Sequence, residues 1–287
     1  MLRSWLFVPG DSERKLSHAL GSGADAVILD LEDAVTPQRQ PIARRLVVDF
    51  LRAAPPAGSP QVWVRVNPLV TAAAREDLAA VLPAKPAGIM LPKASGPGEV
   101  RTLAGLLDQH DPELRIGILP IVTETAEAVL RLVEYREPLP RLRAVTWGVE
   151  DLSTAVGAGA SRDAEGRWLP VFQHAQAMVL LAAAALGVPA LDGIFAQHKD
   201  LDGLHRRIAA ARIEGFAGML AIHPGQLAVI NEGFGPTPEE IAHARRVVQA
   251  FAAANGAGVI SLDGRMLDRP HLRRAEQLLA SAAPEKS

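Results

Sequence analysis

The chain alternates short apolar runs with longer stretches of mixed polarity from one end to the other. The apolar runs are rich in Val, Ile and Leu and have few polar residues on either face, which is typical of strands in a helix-covered parallel sheet. The predicted strands are residues 2–8, 26–31, 62–67, 88–92, 116–122, 144–148, 190–195 and 219–222. The predicted helices are residues 12–20, 40–54, 72–82, 98–108, 125–135, 170–186, 200–214 and 225–232.

This alternation predicts an α/β fold in which the strands close into a (β/α)8 barrel. The alternative, a doubly wound open sheet, normally carries a glycine-rich loop after its first strand. That turn reads PGDSERK here, with a single glycine, so the pattern favours the barrel. We predict a catalytic barrel over residues 1–235. Residues 236–287 are predicted to form a C-terminal helical extension that packs on the barrel or on a neighbouring subunit.

Composition narrows the class of protein. Of the 287 residues 48% are hydrophobic, the net charge is -2, and there is no cysteine, which excludes disulfides and thiolate zinc sites. No basic stripe indicates a nucleic-acid partner. The apolar runs are shorter than a membrane span of roughly 20 residues, and the N-terminal one is too short for a signal peptide. We therefore expect a cytoplasmic protein that binds neither nucleic acid nor membranes.

Acidic residues follow two of the predicted strands, at the end where a barrel carries its active site. Glu124 comes after ILPIVT, and Glu150 and Asp151 come after AVTWGV. We expect few basic residues beside these acids at the barrel mouth to neutralise them. Carboxylates at strand ends are suitable ligands for Mg²⁺, which in a barrel mouth usually serves chemistry on an oxyanion substrate. Each acid alone could equally cap a helix. Taken together they predict a magnesium site at Glu124 and Asp151.

Basic residues also occur at predicted strand ends. Arg65 lies in the otherwise apolar VWVRVN, where a buried cation needs a partner. It can form an ion pair with Glu32 or Asp33, clamp a substrate carboxylate, or do both. Lys93 closes the fourth strand and could bind an anion, bridge an acid or form a Schiff base. His223, after the eighth strand, is either a turn-capping residue or an acid–base group.

The order and spacing of a set of motifs identify a family resemblance. The motifs are RSWLFVPGD (3–11), DAVILDLEDAVTP (25–37), VWVRVNP (62–68), IMLPKA (89–94), ILPIVTETA (118–126), WGVEDL (147–152), LDGIF (191–195), KDLDGL (199–204), AIHPGQ (221–226) and RMLDRPHLRRA (265–275). The chain resembles the citrate lyase β-subunit group of the aldolase/citrate lyase barrel superfamily, which includes malyl-CoA and citramalyl-CoA lyases.

The resemblance implies a Mg²⁺-dependent barrel that forms a homo-oligomer, either a trimer or a hexamer. Its activity would be cleavage of a citryl thioester, carried by CoA or an acyl carrier, to oxaloacetate and an acetyl thioester. Alternatives are a stand-alone malyl-CoA or citramalyl-CoA lyase, a malate-synthase-like enzyme, a metal-dependent pyruvate aldolase, and a subunit that works only with citrate lyase partners. Pyruvate aldolases of this superfamily place a histidine base after an early strand, and no histidine closely follows the first two strands here.

Site roles follow from the matching motifs. By resemblance, Glu124 and Asp151 are the metal ligands, and Arg65 binds the substrate carboxylate. Glu32 and Asp33 would orient Arg65 and metal-bound water.

A further role comes from the end of the chain. Asp268 in RMLDRP resembles an aspartate that reaches a neighbouring subunit's site as an acid/base group. Many relatives have a lysine where this chain has Gln40, and an aspartate where it has Gln197, so the acyl group and its carrier stay open.

Overall fold

The structure is a computed structural model that describes residues 2–53, 56, 58–254 and 257–282. The chain divides into two compact units, one over Leu2–Asn231 and one that begins at Glu232. Each unit has its own secondary structure and its own apolar core.

Eight parallel strands form the centre of the first unit. They are β1 (Ser4–Pro9), β2 (Ala26–Asp30), β3 (Gln61–Arg65), β4 (Gly88–Leu91), β5 (Gly117–Pro120), β6 (Val145–Thr146), β7 (Ala190–Asp192) and β8 (Gly218–Ala221). Hydrogen bonds join them in the order β5-β4-β3-β2-β1-β8-β7-β6. Parallel bridges from Ile118 to Leu142 and from Ile121 to Thr146 link the two edges and nearly close the barrel. The predicted (β/α)8 architecture is confirmed.

Helices follow the strands. They are α1 (Glu13–Ala19), α2 (Gln40–Arg52), α3 (Ala72–Val81), α4 (Pro97–Asp108), α5 (Ala126–Leu130), α6 (Val149–Ala155), α7 (Pro170–Leu186), α8 (Leu201–Glu214) and α9 (Leu227–Gly233). Side chains of Thr71, Thr125 and Asp200 accept backbone N–H groups at three helix starts, as N-caps do. Helix α6 was not predicted. Over the described ranges, no helix is both long and apolar enough to cross a membrane.

The barrel interior is packed with side chains rather than open. Trp5 and Trp63 meet edge to face with ring centroids 5.0 Å apart. A Cβ atom at Gly88 would lie 2.2 Å from the Trp63 ring, so glycine is required for the indole to fit. Because this core fills the barrel, a substrate can be held only at the strand ends.

The second unit contains helices and a hairpin. Its elements are α10 (Pro238–Ala253), β9 (Val259–Leu262), β10 (Arg265–Asp268) and α11 (Arg269–Ala282). Thr237 and Glu240 form a capping box at the start of α10. Strands β9 and β10 are antiparallel, and Asp263 and Gly264 between them have positive φ, as a type I′ hairpin turn requires. The extension is therefore not purely helical.

Candidate active site

A cavity of about 410 Å³ at the carboxyl ends of the strands is lined by several of the predicted site residues. Asp33, Arg65, Glu124 and Asp151 line it together. Glu32 and Lys93 contact these residues directly. Six of the seven side chains selected from the sequence thus lie in one region. The seventh, Asp268, belongs to the other unit.

Arg65 is held mainly by an acid that the sequence analysis did not select. Asp30 lies opposite Arg65 in the register of β2 and β3. The Arg65 guanidinium donates from Nε to Asp30 Oδ1 at 2.8 Å and from its terminal NH2 nitrogen to Oδ2 at 2.6 Å. Burial lowers the pKa of Arg65, but the hydrogen bonds and charge of Asp30 outweigh that effect and raise it above its ordinary value. The guanidinium therefore remains a fixed cation.

The remaining donors of Arg65 are less fully used. Its NH1 nitrogen lies 2.9 Å from Glu32 Oε2 and 3.7 Å from Asp33 Oδ2. The contact with Glu32 is close but poorly aligned, since Glu32 Oε2 has no hydrogen-bond partner. The Phe7 ring centroid is 4.8 Å from Arg65 Cζ. A guanidinium has five N–H donors, so Arg65 retains capacity for a substrate carboxylate.

Lys93 connects several carboxylates through two different groups. Its backbone has φ of 50°, an uncommon left-handed conformation for a side-chain-bearing residue. In this conformation its backbone N–H donates to Glu124 Oε2, while its ammonium donates to Glu32 Oε1. The ammonium also lies 3.5 Å from Asp33 Oδ1 and 4.0 Å from Asp151 Oδ1. The expectation that few basic groups neighbour the acids is therefore wrong.

The charges of this region determine the protonation of Lys93. Burial lowers its pKa, but the hydrogen bond and charge of Glu32 raise it to about 12. An amine with this pKa stays protonated at neutral pH and is a poor nucleophile. The bridging role considered for Lys93 fits this geometry, and the Schiff-base role does not.

Glu124 carries the most perturbed carboxyl in the cavity. Burial, followed by the charges of Glu32 and Asp151, raises its pKa to about 8, although the Lys93 backbone N–H acts in the opposite direction. Burial also raises the pKa of Glu32. Both shifts arise mainly from burial, which disfavours the charged carboxylates. A bound cation would favour the ionised form of each acid.

The position of Glu124 depends on the neighbouring strand end. A Cβ atom at Gly148 would lie 2.8 Å from Glu124 Cγ and 3.3 Å from Oε1, so a larger residue would displace the carboxylate. The Gly148 N–H donates to Thr123 Oγ1 at 3.1 Å, which joins the ends of β5 and β6. Helix α6 begins directly after Gly148, and Asp151 lies in its first turn. This local arrangement places Glu124 and Asp151 on the same cavity.

The donor set fits a hard divalent cation. Glu124 and Asp151 offer carboxylate oxygens, which Mg²⁺ prefers. The described residues contain no group of three or more His, Cys, Asp or Glu suited to holding a metal. Water and substrate would have to complete the coordination, as is usual for Mg²⁺ bound through one or two carboxylates.

Asp268 closes β10 in the second unit. His271 Nδ1 lies 2.5 Å from Asp268 Oδ1, and this interaction lowers the pKa of the carboxyl. Asp268 is therefore ionised at neutral pH. Its action at a neighbouring subunit's site stays a prediction.

Comparisons with known proteins bear on this site. The model of the HpcH/HpaI aldolase/citrate lyase family matches residues 3–224. A (3S)-malyl-CoA thioesterase from Cereibacter sphaeroides is 36% identical over 285 residues, which cover 98% of this chain and 94% of that protein. The mitochondrial citramalyl-CoA lyase of Mus musculus is 32% identical over 302 residues, covering 99% of this chain and 87% of that protein.

A solved structure is similar over the same length. It is the CitE protein of Mycobacterium tuberculosis in complex with magnesium, acetoacetate and coenzyme A. Its TM-score is 0.79 at 32% sequence identity, with 98% of this chain and 97% of that chain covered. The similarity therefore includes both the barrel and residues beyond it.

Proposed function

The chain belongs to the HpcH/HpaI aldolase/citrate lyase family, and from this premise we propose that it is a Mg²⁺-dependent carbon–carbon lyase acting on a β-hydroxyacyl-CoA thioester. The observation that carries the proposal is that Glu124, Asp151 and Arg65 line a single cavity. Two acids for a cation and one arginine for a carboxylate suit an acyl group with a carboxylate beside its hydroxyl-bearing carbon. Malyl, citramalyl and citryl groups share this feature. The CitE relative with magnesium, acetoacetate and coenzyme A supports the same class.

Substrate binding begins at Arg65. Its two hydrogen bonds to Asp30 fix the plane of the guanidinium before substrate arrives. The remaining N–H donors would hold the substrate carboxylate beside the broken bond. Since the guanidinium is already positioned, little conformational entropy is lost on binding.

Glu124 and Asp151 would hold the Mg²⁺ ion. When bound there, the ion supplies a Lewis acid that polarises the substrate's oxygens and makes its hydroxyl more acidic. Lys93 positions Glu124 through its backbone N–H and restrains Glu32 through its ammonium. These contacts leave Glu124 Oε1 available on the side that Gly148 keeps open.

Cleavage requires the hydroxyl proton to leave. Asp33 lines the cavity with its side chain 56% exposed, and we assign it as the acceptor of that proton. The O–H electron pair then forms the carbonyl, the carbon–carbon bond breaks, and its pair remains on the acyl-CoA fragment as an enolate. Arg65 stays bound to the carboxylate of the oxo acid.

The enolate must then be protonated at carbon. We assign this exchange to Asp268 of the partner subunit, following the family resemblance. As an ionised carboxylate, Asp268 would accept a proton from the acetyl group in the condensation direction. In cleavage it would first take a proton from solvent and pass it to the enolate carbon, while the proton held by Asp33 returns to solvent.

Thioester hydrolysis is the second candidate, because the 36% identical relative is named a (3S)-malyl-CoA thioesterase. Hydrolysis breaks the carbon–sulfur bond and releases free CoA with an intact hydroxy acid. Lyase chemistry instead releases an oxo acid and leaves the thioester in place. The two reactions therefore differ in both products.

One assay separates these functions. Malyl-, citramalyl- and citryl-CoA are each incubated with the purified chain, with Mg²⁺ or with EDTA. We expect an oxo acid, measured as its phenylhydrazone, to form only with Mg²⁺ and without an equal amount of free thiol. Free thiol without oxo acid would establish the hydrolase. Activity only after citrate lyase partners or a carrier-bound thioester are added would favour the complex subunit.

The proposal also includes the oligomeric state of the chain and its location in the cell. We propose a homo-oligomer, a trimer or a hexamer, in the cytoplasm. Light scattering on the purified chain measures the subunit number. A monomer that retains full activity would contradict the partner-subunit role of Asp268.

A further inference from the structure

Asp192 and Arg207 form a buried ion pair that the proposed mechanism does not use. Asp192 ends β7 and is 1% exposed, and Arg207 on α8 is 7% exposed. Arg207 Nη2 lies 2.7 Å from Asp192 Oδ2. Replacing a buried ion pair by well-packed apolar residues is often neutral or stabilising, so stability alone gives little reason for this one. We therefore looked for a group that the pair holds in place.

That group is the indole of Trp147. Trp147 Nε1 donates to Asp192 Oδ1 at 2.8 Å, and the Gly193 N–H donates to the same oxygen at 2.9 Å. The Trp147 ring also meets the Trp168 ring edge to face, with centroids 5.1 Å apart. An ionised carboxylate accepts a stronger hydrogen bond than a neutral oxygen, so the charge on Asp192 strengthens its hold on the indole. Arg207 balances that buried charge.

Trp147 is the first residue of the turn that carries a proposed metal ligand. It is followed by Gly148, which lies against the Glu124 side chain, and by α6 with Asp151 in its first turn. Residues 147–151 are called the metal-ligand turn below. The strand before this turn, β6, has only two residues, and its register with β7 covers two pairs. The backbone ladder therefore gives this strand end few hydrogen bonds.

Side chains add restraint on both sides of the short strand. Towards β7, Thr146 Oγ1 donates to a backbone carbonyl at 3.0 Å, and Trp147 donates to Asp192. Towards β5, the Gly148 N–H donates to Thr123 Oγ1 at 3.1 Å. The metal-ligand turn is thus tied to the ends of both neighbouring strands.

We propose that Asp192, with Arg207 as its counter-ion, is a positioning residue that holds the Trp147 indole and, through it, orders the metal-ligand turn for binding a divalent cation. The role rests on the proposed function, because it takes Asp151 as a metal ligand. In this role neither Asp192 nor Arg207 touches the ion or the substrate. A turn that is ordered beforehand loses less conformational entropy when the ion binds. Releasing the indole should therefore weaken Mg²⁺ binding while the barrel stays folded.

The first test compares two tryptophans by calorimetric titration with Mg²⁺ alone. Trp147→Phe keeps a ring against Trp168 and removes the N–H donor. Trp5→Phe is the matched control, because Trp5 also pairs edge to face with an indole and donates to Leu2 O, but lies in the packed barrel interior. We expect Trp147→Phe to weaken Mg²⁺ binding about tenfold and Trp5→Phe to change it by less than about twofold. Unchanged affinity in Trp147→Phe, or equal losses in both variants, overturns the proposal.

The second test isolates the acceptor oxygen of Asp192. Two double variants combine Arg207→Met with either Asp192→Asn or Asp192→Ala. Both lack the ion pair, but only the variant with Asp192→Asn keeps a side-chain oxygen that can accept the Trp147 N–H. We expect that variant to bind Mg²⁺ about fivefold more tightly than the variant with Asp192→Ala. Equal affinities in the two double variants overturn the positioning role.

Amide hydrogen exchange of the metal-free protein separates this proposal from the proposed function. Peptides covering residues 147–155, which include α6, should exchange about tenfold faster in Trp147→Phe than in wild type and at an unchanged rate in Trp5→Phe. Unchanged exchange in Trp147→Phe would overturn the positioning role even if wild type binds Mg²⁺. Absence of Mg²⁺ binding in wild type would instead reject the proposed metal site, and the exchange rates would still decide whether the indole orders the turn.

Discussion

Asp30 and Arg65 face each other across strands β2 and β3 and share hydrogen bonds of 2.8 and 2.6 Å. Asp30 is 1% exposed and Arg65 is 9% exposed, so both charges are largely removed from water. Asp30 also accepts the backbone N–H groups of Glu32 and Ala34. The pair therefore orders the loop that follows β2 as well as the substrate-binding arginine.

Breaking this pair on one side should destabilise the fold. We expect Arg65→Met to lower the free energy of unfolding by about 3–5 kcal/mol, because it leaves Asp30 buried without its partner. The double variant Asp30→Asn with Arg65→Met should recover part of that loss. Urea denaturation of both variants gives the comparison. A single variant within about 0.5 kcal/mol of wild type would contradict the importance of the pair.

The assignment of metal ligands can be tested with three single substitutions. Glu124→Gln and Asp151→Asn should each abolish measurable Mg²⁺ binding in a calorimetric titration, since each removes one carboxylate ligand. Glu150→Gln is the matched control, because Glu150 is the adjacent acid and lines the same cavity. Loss of Mg²⁺ binding in Glu150→Gln, with retention in Asp151→Asn, would reassign the ligand.

Magnesium binding should release a proton at neutral pH. The pKa of Glu124 is about 8 in the folded protein, against an ordinary value of 4.5. Below pH 8 the metal must therefore displace a proton from this carboxyl, and about one proton should leave per ion at pH 7. Calorimetry in buffers of different ionisation enthalpy measures the release. Binding enthalpies that do not depend on the buffer would contradict the raised pKa.

The raised pKa of Glu124 also determines how pH affects the stability of the folded protein. Between pH 4.5 and about 8 the folded state binds more protons than the unfolded state, so ∂ΔG/∂pH for unfolding is negative. We expect the magnesium-free protein to lose stability as pH rises through this window. Saturating Mg²⁺ should oppose that loss, because it binds the ionised carboxylate of the folded state. Rising stability of the magnesium-free protein in this range would contradict the assignment.

Lys93 offers a test that separates its backbone from its ammonium. Its φ of 50° suits glycine, so Lys93→Gly should keep the N–H contact with Glu124 while removing the ion pair with Glu32. Lys93→Ala should be less stable than Lys93→Gly by about 1 kcal/mol, because alanine is strained in this conformation. Equal stability in thermal unfolding would contradict the argument.

Lys93 should also fail as a Schiff-base residue. With its pKa near 12, the amine is protonated and cannot attack a carbonyl readily. Borohydride added with substrate should therefore leave Lys93 unmodified in a peptide mass map. Reductive trapping at Lys93 would replace the metal mechanism by an imine mechanism.

Sequence reasoning predicted the barrel because its signals are local. Buried runs such as VILD and VWVR repeat through the chain, and parallel strands read as continuous apolar segments. The hairpin at 259–268 was missed because its strands are largely exposed and do not form the buried apolar runs that mark the barrel strands. The dipeptide Asp263-Gly264 was the available turn signal.

The site was only partly predictable from the chain. Acidic residues that directly follow a predicted strand could be selected from their position in the sequence. The basic residues that contact them follow other strands and could not be paired with them in this way. Lys93 lies 31 residues before Glu124 and 61 after Glu32, and only strand order brings the three together. Asp30 could have been selected, since it ends β2 directly beside Arg65 in register, but that register is a property of the fold.

The proposed activity depends most on one ion shared by Glu124 and Asp151. Crystals soaked in Mn²⁺, which takes oxygen ligands as Mg²⁺ does, allow the ion to be located by anomalous diffraction. We expect one peak in the cavity, about 2.2 Å from a carboxylate oxygen of each residue. A cavity without a peak, or a peak bound to neither carboxylate, would contradict the central claim.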